Sequence, residues 1–183
     1  MEKKRLPFPK EALAPWLADA FEQASYLGGG YSSRVWSLNN GYVLKITKDP
    51  QVLTLMRSLR NKPQRGLPQV WYVSAPIHGR GHGVWHAIVQ TQYEPMPYDQ
   101  WLSIVRTWKG IRWREQGFSL SNDKSRQAMM TWQERAVGTQ QKQVLYRIAT
   151  LLSRYKEMSV DLDHRDNWAI DPKGRPILLD PVV

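Results

Sequence analysis

The chain has 183 residues, no cysteine, and a formal net charge of +10 from 26 basic and 16 acidic residues. This length suits one domain or two small lobes, and the lack of thiols excludes disulfides, a cysteine nucleophile and cysteine-ligated metals. The 42% hydrophobic content allows a packed core, whereas no apolar run approaches the ~20 residues that cross a bilayer. No apolar stretch follows the charged start, so we expect a cytoplasmic protein without membrane contact.

The charges are unevenly distributed along the chain. Residues 100–156 contain eleven basic and three acidic residues, which favours an anionic partner such as a nucleotide, an acidic protein or a nucleic acid. Five carboxylates then crowd the last 23 residues: Asp161, Asp163, Asp166, Asp171 and Asp180. Because clustered carboxylates repel one another unless a cation joins them, this tail is a candidate metal site.

The first half of the chain reads as mainly β. A short helix is predicted over 11–22, with apolar residues Leu13, Trp16, Leu17 and Phe21. Strands are predicted over 27–38 and 42–46, with the turn Asn39-Asn40-Gly41 between them. Asp49-Pro50 then predicts a helix start, and a second strand pair is expected over 70–73 and 84–91.

The second half reads as helical. Apolar spacing predicts a helix containing Trp101 and Ile104, a less regular helix near 127–136, and a long helix over 144–158. A hairpin with the turn Pro172-Lys173-Gly174 closes the chain. The sequence therefore predicts an α+β fold in which residues 1–96 form a β-rich lobe with an N-terminal helix and residues 97–183 form a helical lobe with a carboxylate-rich hairpin.

Three segments could carry chemistry. The first is a glycine turn, Gly28-Gly29-Gly30-Tyr31-Ser32-Ser33, whose backbone N–H groups can approach phosphate oxygens closely but which could equally be a flexible turn. The second is Lys45, which alternation places on one strand face with Val43; it could meet phosphates beneath the glycine turn or simply point to solvent.

The third segment is the tail around Asn167 and Asp180. An amide and a carboxylate on two arms of one hairpin can hold Mg²⁺, which prefers oxygen ligands, and an upstream aspartate can accept a hydroxyl proton. The alternative is a solvated acidic turn after the long helix.

Together these segments resemble the protein-kinase-like fold, and in particular the small Ser/Thr protein kinases that lytic short-tailed bacteriophages make early in infection. Gly28, Gly30 and Val35 match the pattern Gly-x-Gly-x-x-Gly-x-Val, with Ser33 at its third glycine. Asp180-Pro181-Val182 stands where other kinases have Asp-Phe-Gly. The resemblance covers about residues 25–183.

The resemblance implies a role for each matching residue. It implies that ATP is the cofactor and that Mg²⁺ is held by Asn167 and Asp180, with Asp163 or Asp161 as the catalytic base and Lys45 on the phosphates. Further nucleotide contacts would come from the glycine turn and the adenine-binding segment, at Gly28, Gly29, Gly30, Tyr31, Ser32, Ser33, Val35, Glu94 and Met96.

The chain departs from the kinase pattern in three places. Leu162 occupies the usual position of the base, so either Asp161 or Asp163 replaces it or the base is lost. The helix after Asp49 contains no Glu or Asp, although kinases use a helix glutamate there. The chain also ends three residues after Asp180, so a segment for docking a protein substrate is missing from the pattern.

Two weaker candidates remain. His78, His82 and His86 are spaced four apart, but the glycines between them favour a loop over a metal site. The basic, tryptophan-rich stretch 101–113 could stack on nucleic acid, although such tryptophans more often belong to a helix core.

Two functions follow from the sequence. One is an ATP-dependent phosphotransferase that modifies Ser or Thr of host proteins in an infected bacterium. The other is a degenerate kinase-like binding module whose basic surface docks on, and inhibits, an acidic host protein or a nucleic-acid complex.

Overall fold

The computed structural model describes residues 5–79, 83–109 and 164–179. The chain divides into two compact units, one formed by Met1–Pro63 and Pro68–Gln92, the other by Gln64–Leu67 and Tyr93–Val183. The described part is α+β with antiparallel sheets and few helices, as predicted. In these ranges, no helix has the length and apolar character needed to span a membrane.

The first unit is built on one antiparallel sheet. It begins with a 3-10 turn at Lys10–Ala12 and helix α1 at Pro15–Glu22, followed by strands β1 (Ser25–Gly29), β2 (Ser33–Ser37) and β3 (Tyr42–Thr47). Helix α2 (Pro50–Asn61) comes next, and then strands β4 (Val70–Val73), β5 (Ile77–His78) and β6 (Val84–Thr91). The strand order is β1-β2-β3-β6-β4, and β5 pairs with β6.

The β segment predicted over 27–38 forms two strands, β1 and β2, with the predicted glycine turn between them. β1 and β2 pair with each other, and the amide of Gly30 donates to the Ser33 carbonyl across the tip, at 2.9 Å. The Asn39-Asn40-Gly41 turn is confirmed: Asn39 has φ of 58° and Gly41 of 84°, values that asparagine and glycine tolerate best.

The main core lies on one face of this sheet. Trp36, Leu44, Ile46, Ala87 and Val89 project from β2, β3 and β6 and pack together with residues of the N-terminal segment, including Phe8, Leu13 and Leu17. Trp36 also meets Phe21 and Tyr26 edge to face. Trp16 of α1 is half exposed, and its ring packs edge to face against Tyr72.

Helix α2 begins as its sequence predicts. Asp49 is the N-cap, and its carboxylate accepts hydrogen bonds from the amides of Gln51 at 2.8 Å and Val52 at 3.2 Å. Pro50 fits the first helical position, where no amide hydrogen is needed. The apolar face is buried as expected and consists of Val52, Leu55, Met56 and Leu59.

The second unit contains a small three-stranded sheet, in the order β7-β8-β9. Strand β7 (Glu94–Pro95) precedes helix α3 (Tyr98–Lys109), and a 3-10 turn at Arg165–Asn167 leads into β8 (Trp168–Ile170) and β9 (Pro176–Leu178). The predicted tail hairpin is therefore confirmed for β8 and β9. The helices predicted over 127–136 and 144–158 lie outside the described residues.

We expect Asp49→Ala to lower the free energy of unfolding by about 1 kcal/mol, because two amides at the start of α2 lose their acceptor. Urea unfolding would measure the change. Asp19→Ala, which removes an exposed carboxylate within α1, is the matched control and should have a smaller effect. Equal effects of the two substitutions would contradict the capping role of Asp49.

Candidate functional site

One face of the first unit's sheet is unusually polar. Strand register places three rows of side chains on it, and we call this the lysine face: Ser33-Thr47-His86, Val35-Lys45-Ile88 and Ser37-Val43-Gln90. Five of these nine side chains are both polar and buried, namely Ser37, Lys45, Thr47, His86 and Gln90. Since burying polar groups is costly unless they are bonded, each requires a specific partner or role.

Lys45 occupies the centre of the lysine face. It pairs with Val35 on one side and Ile88 on the other, and its exposed fraction is only 3%. Gly28 lies opposite Val35 on β1, so the glycine turn begins in the row that contains Lys45. The predicted alternation of Val43 and Lys45 on one face is confirmed. The structure thus brings together three predicted site residues: Gly28, Val35 and Lys45.

The glycine turn is closely packed on one side and open on the other. A Cβ at Gly29 would lie 2.5 Å from the Ser33 carbonyl oxygen and 2.8 Å from the Arg34 Cα, so this position requires glycine. A Cβ at Gly30 would meet nothing within 4 Å. The backbone at Gly30 therefore has open space beside it, as a backbone that cradles a ligand requires.

The tip of the turn is bonded to the end of β3. The carbonyl of Ser32 accepts from the amide of Lys48 at 3.0 Å and from the hydroxyl of Thr47 at 3.2 Å. The Ser33 hydroxyl donates to Thr47 Oγ1 at 2.9 Å, and the Asp49 amide donates to the same oxygen at 3.1 Å. Thr47 thereby holds the turn, the end of β3 and the cap of α2 in one arrangement.

A cation–π contact covers the outside of the turn. Tyr31, at the tip, is 91% exposed, and the Nζ of Lys48 lies 3.9 Å from the centre of its ring. Such contacts are worth about 0.5–1 kcal/mol at exposed sites. Sequence reasoning missed both Thr47 and Lys48. Thr47 could have been found from its position, because it lies two residues after Lys45 and therefore faces the same side of the sheet.

In the second unit, Asn167 lies at the open end of the tail hairpin. Its carbonyl accepts from the amide of Leu179 at 2.7 Å, so the returning arm is joined to Asn167 one residue before Asp180. Asp166 is exposed in the 3-10 turn. Asp161, Asp163 and Asp180 lie outside the described residues. Among the residues described, no group of three His, Asp or Glu side chains is placed to hold a metal ion.

The buried carboxylate of Asp171 is bonded by residues of its own turn. Its carboxylate accepts from the amides of Lys173 and Arg175, both at 2.9 Å, and from Arg175 Nε at 2.6 Å. Burial raises the pKa of Asp171, but the hydrogen bonds and the charge of Arg175 outweigh this and leave the pKa below its usual value. This carboxylate is therefore neutralised by an arginine rather than by a metal.

Glu94 and Met96 take part in the small sheet. Glu94 is exposed and pairs with Ile170. Met96 is fully buried; its amide donates to the Trp168 carbonyl at 3.5 Å, and its carbonyl accepts from Arg165 Nε at 3.1 Å. A nucleotide base would have to compete with these bonds to use the backbone of Met96.

The other predicted candidates are separated or incompletely described. His78 is exposed on β5, His86 is buried on β6, and His82 lies outside the described residues. Trp101 on α3 is half-buried and its ring packs against Tyr98, whereas residues beyond 109 in the predicted nucleic-acid stretch are not described.

His86 is held as a neutral side chain. Burial lowers its pKa below the usual value, the positive charge of Arg57 on α2 lowers it further, and a hydrogen bond from Nδ1 to the Ser74 carbonyl, at 3.3 Å, opposes both. In the lysine face, His86 therefore acts as a packed, hydrogen-bonded side chain rather than as a metal ligand.

Comparison with protein-family models gives no match to this chain, and comparison with curated proteins gives none either.

The low pKa of His86 predicts a loss of stability in acid. Since the folded protein binds this proton less readily than the unfolded chain, stability should fall as pH drops below about 6.5 toward the folded-state pKa. We expect the urea midpoint of His86→Gln to fall less than that of the parent between pH 7.5 and 5.5. His78→Gln, at an exposed position, should follow the parent. Parallel curves for the parent and His86→Gln would contradict this explanation.

The packing of the glycine turn predicts opposite responses at two neighbouring glycines. Gly29→Ala should lower the free energy of unfolding by about 1–3 kcal/mol, because its Cβ would collide with backbone atoms. Gly30→Ala should change it by no more than about 1 kcal/mol, because space is open there. Urea unfolding of both variants would test this, and equal losses would show that the turn is packed differently.

Proposed function

We propose that this protein is a kinase-like phosphotransferase that binds ATP with Mg²⁺ and transfers the γ-phosphoryl group to Ser or Thr hydroxyls of proteins. The observation that carries the proposal is the burial of Lys45 at the centre of the lysine face, in one row with Gly28 and Val35. Lysine is seldom buried without a specific role, and a phosphate group is an anion that matches its charge.

The order of elements supports a kinase-like first unit. Protein kinases place a glycine-rich loop over the phosphates, a lysine on the third strand and a helix after that strand. Here the glycine turn joins β1 to β2, Lys45 lies on β3, and α2 follows directly. The bonds from Thr47 and Lys48 to the turn fix this loop relative to the lysine strand.

The resemblance to protein kinases assigns the metal and the proton acceptor to residues of the tail. The oxygens of Asn167 and Asp180 are hard donors that suit Mg²⁺, which would neutralise phosphate charge when bound. The hydroxyl oxygen of the acceptor would attack the γ-phosphorus as the bond to the β–γ bridging oxygen breaks. The hydroxyl proton would pass to Asp163 or Asp161. The pairing of Leu179 with Asn167 supports a joint role, since it ends one residue before Asp180.

A second function is favoured by the composition of α2. Kinases pair the strand lysine with a glutamate of the following helix, and Pro50–Asn61 contains neither Asp nor Glu. A module that binds a nucleotide but transfers no phosphoryl group would tolerate the lack of this glutamate. Such a module would act through the basic segment 100–156 on an acidic host protein, and host proteins are also the acceptors we propose for the enzyme.

We expect Mg²⁺–ATP at about 100 times its Kd to stabilise the parent by about 2.7 kcal/mol, which for a chain of this size raises Tm by about 5–10 °C. Lys45→Met keeps the aliphatic length but removes the charge, so its ATP-induced shift, measured from its own ligand-free Tm, should be less than half of the parent's. Transfer from γ-labelled ATP to casein, and to the protein itself, should be lost in this variant.

Lys62→Met is the matched control, because it removes the same charge from an exposed position at the end of α2. Its shift should equal that of the parent. If ATP fails to stabilise the parent, the nucleotide-binding proposal is wrong. Stabilisation of the parent without transfer would instead identify the non-catalytic module.

A further inference from the structure

Gln90 differs from the other buried polar side chains of the lysine face, because its amide oxygen accepts no hydrogen bond from the part of the chain that the structure describes. It lies on β6 opposite Val43 and is only 4% exposed. Its amide oxygen is buried, and no described residue donates a hydrogen bond to it. A buried amide oxygen left without a donor costs free energy, so the position calls for a donor from outside the described protein.

The other buried polar side chains of this face are bonded differently. Thr47 is bonded to the glycine turn, the hydroxyl of Ser37 donates to Gln92 at 2.8 Å, and the ring of His86 donates to the Ser74 carbonyl. These bonds are explained by the fold alone. Gln90 therefore differs from its neighbours, and we infer that a ligand supplies the donor that its amide oxygen lacks.

The register places Gln90 in a defined position relative to the proposed phosphate site. Lys45 and Ile88 form the row nearer the turn, and Val43 and Gln90 form the next row on the same face. Two residues along a strand advance about 7 Å. A nucleotide whose phosphates meet Lys45 and the glycine turn would therefore present its base near Val43 and Gln90, with the ribose between.

We propose that Gln90 is the residue that selects the nucleotide base, with its amide oxygen accepting a hydrogen bond from the exocyclic amine of adenine. This inference rests on the proposed nucleotide-binding function. Guanine presents a carbonyl oxygen where adenine presents that amine, so it would leave the amide oxygen of Gln90 opposite another acceptor. Val43, beside Gln90 in the row, offers the apolar surface that a flat base requires.

The test compares ATP with purine riboside triphosphate, which differs from ATP only in lacking the exocyclic amine. Dissociation constants of both Mg²⁺ complexes are measured by calorimetry on the full chain. We expect the parent to bind ATP roughly tenfold more tightly, as a buried hydrogen bond implies. In Gln90→Met, which keeps the length of the side chain but has no amide, the two ligands should bind within about threefold of each other.

Gln69→Leu removes an exposed glutamine just before β4 and should keep the parent's preference. Gln90→Leu repeats the test should Gln90→Met fail to fold. If the parent binds neither ligand, the proposed function fails. If the parent binds both equally, or if the Gln90 variants keep the preference for ATP, base selection by Gln90 is overturned while nucleotide binding stands.

Discussion

The register of β3 between β2 and β6 is the constraint on which the rest of the first unit depends. It directs Leu44 and Ile46 into the apolar core and Val43, Lys45 and Thr47 onto the opposite face. A slip of one residue would exchange the two sets and place the Lys45 ammonium among Trp36, Leu17 and their neighbours. Because that burial is far more costly than any gain, the hydrophobic core fixes the position of the candidate site.

Part of this arrangement could be predicted from the sequence because it depends on neighbours along the chain. Alternation alone assigns Lys45 and Val43 to one face, and Asp49-Pro50 marks the start of α2. The ends of the two strands on either side of the glycine turn could not be read in this way. Three consecutive glycines carry no side-chain pattern, and the turn depends on Thr47, which is distant in sequence.

The contrast between contacts with near neighbours and contacts with distant residues also explains which site residues could be found from the sequence. Charge counting grouped Asp171 with the other tail aspartates, yet Asp171 is neutralised by Arg175, four residues away in its own turn. Counting charges cannot show which carboxylate has a local partner. The pairing of β7 with β8 joins residues more than 70 positions apart, and no local pattern predicts it. The bonds that occupy the backbone of Met96 were unpredictable for the same reason.

The buried polar side chains of the lysine face differ in whether they indicate a ligand. Where a polar group is bonded by the protein, as Thr47 is to the turn, its burial is explained by the fold and says little about a ligand. Where the described residues supply no donor, as at the amide oxygen of Gln90, folding stability alone would favour an apolar residue at that position. Gln90 sits in a strand that is otherwise largely apolar, Val84–Thr91. Its cost to folding is best accounted for if binding, rather than packing, maintains it.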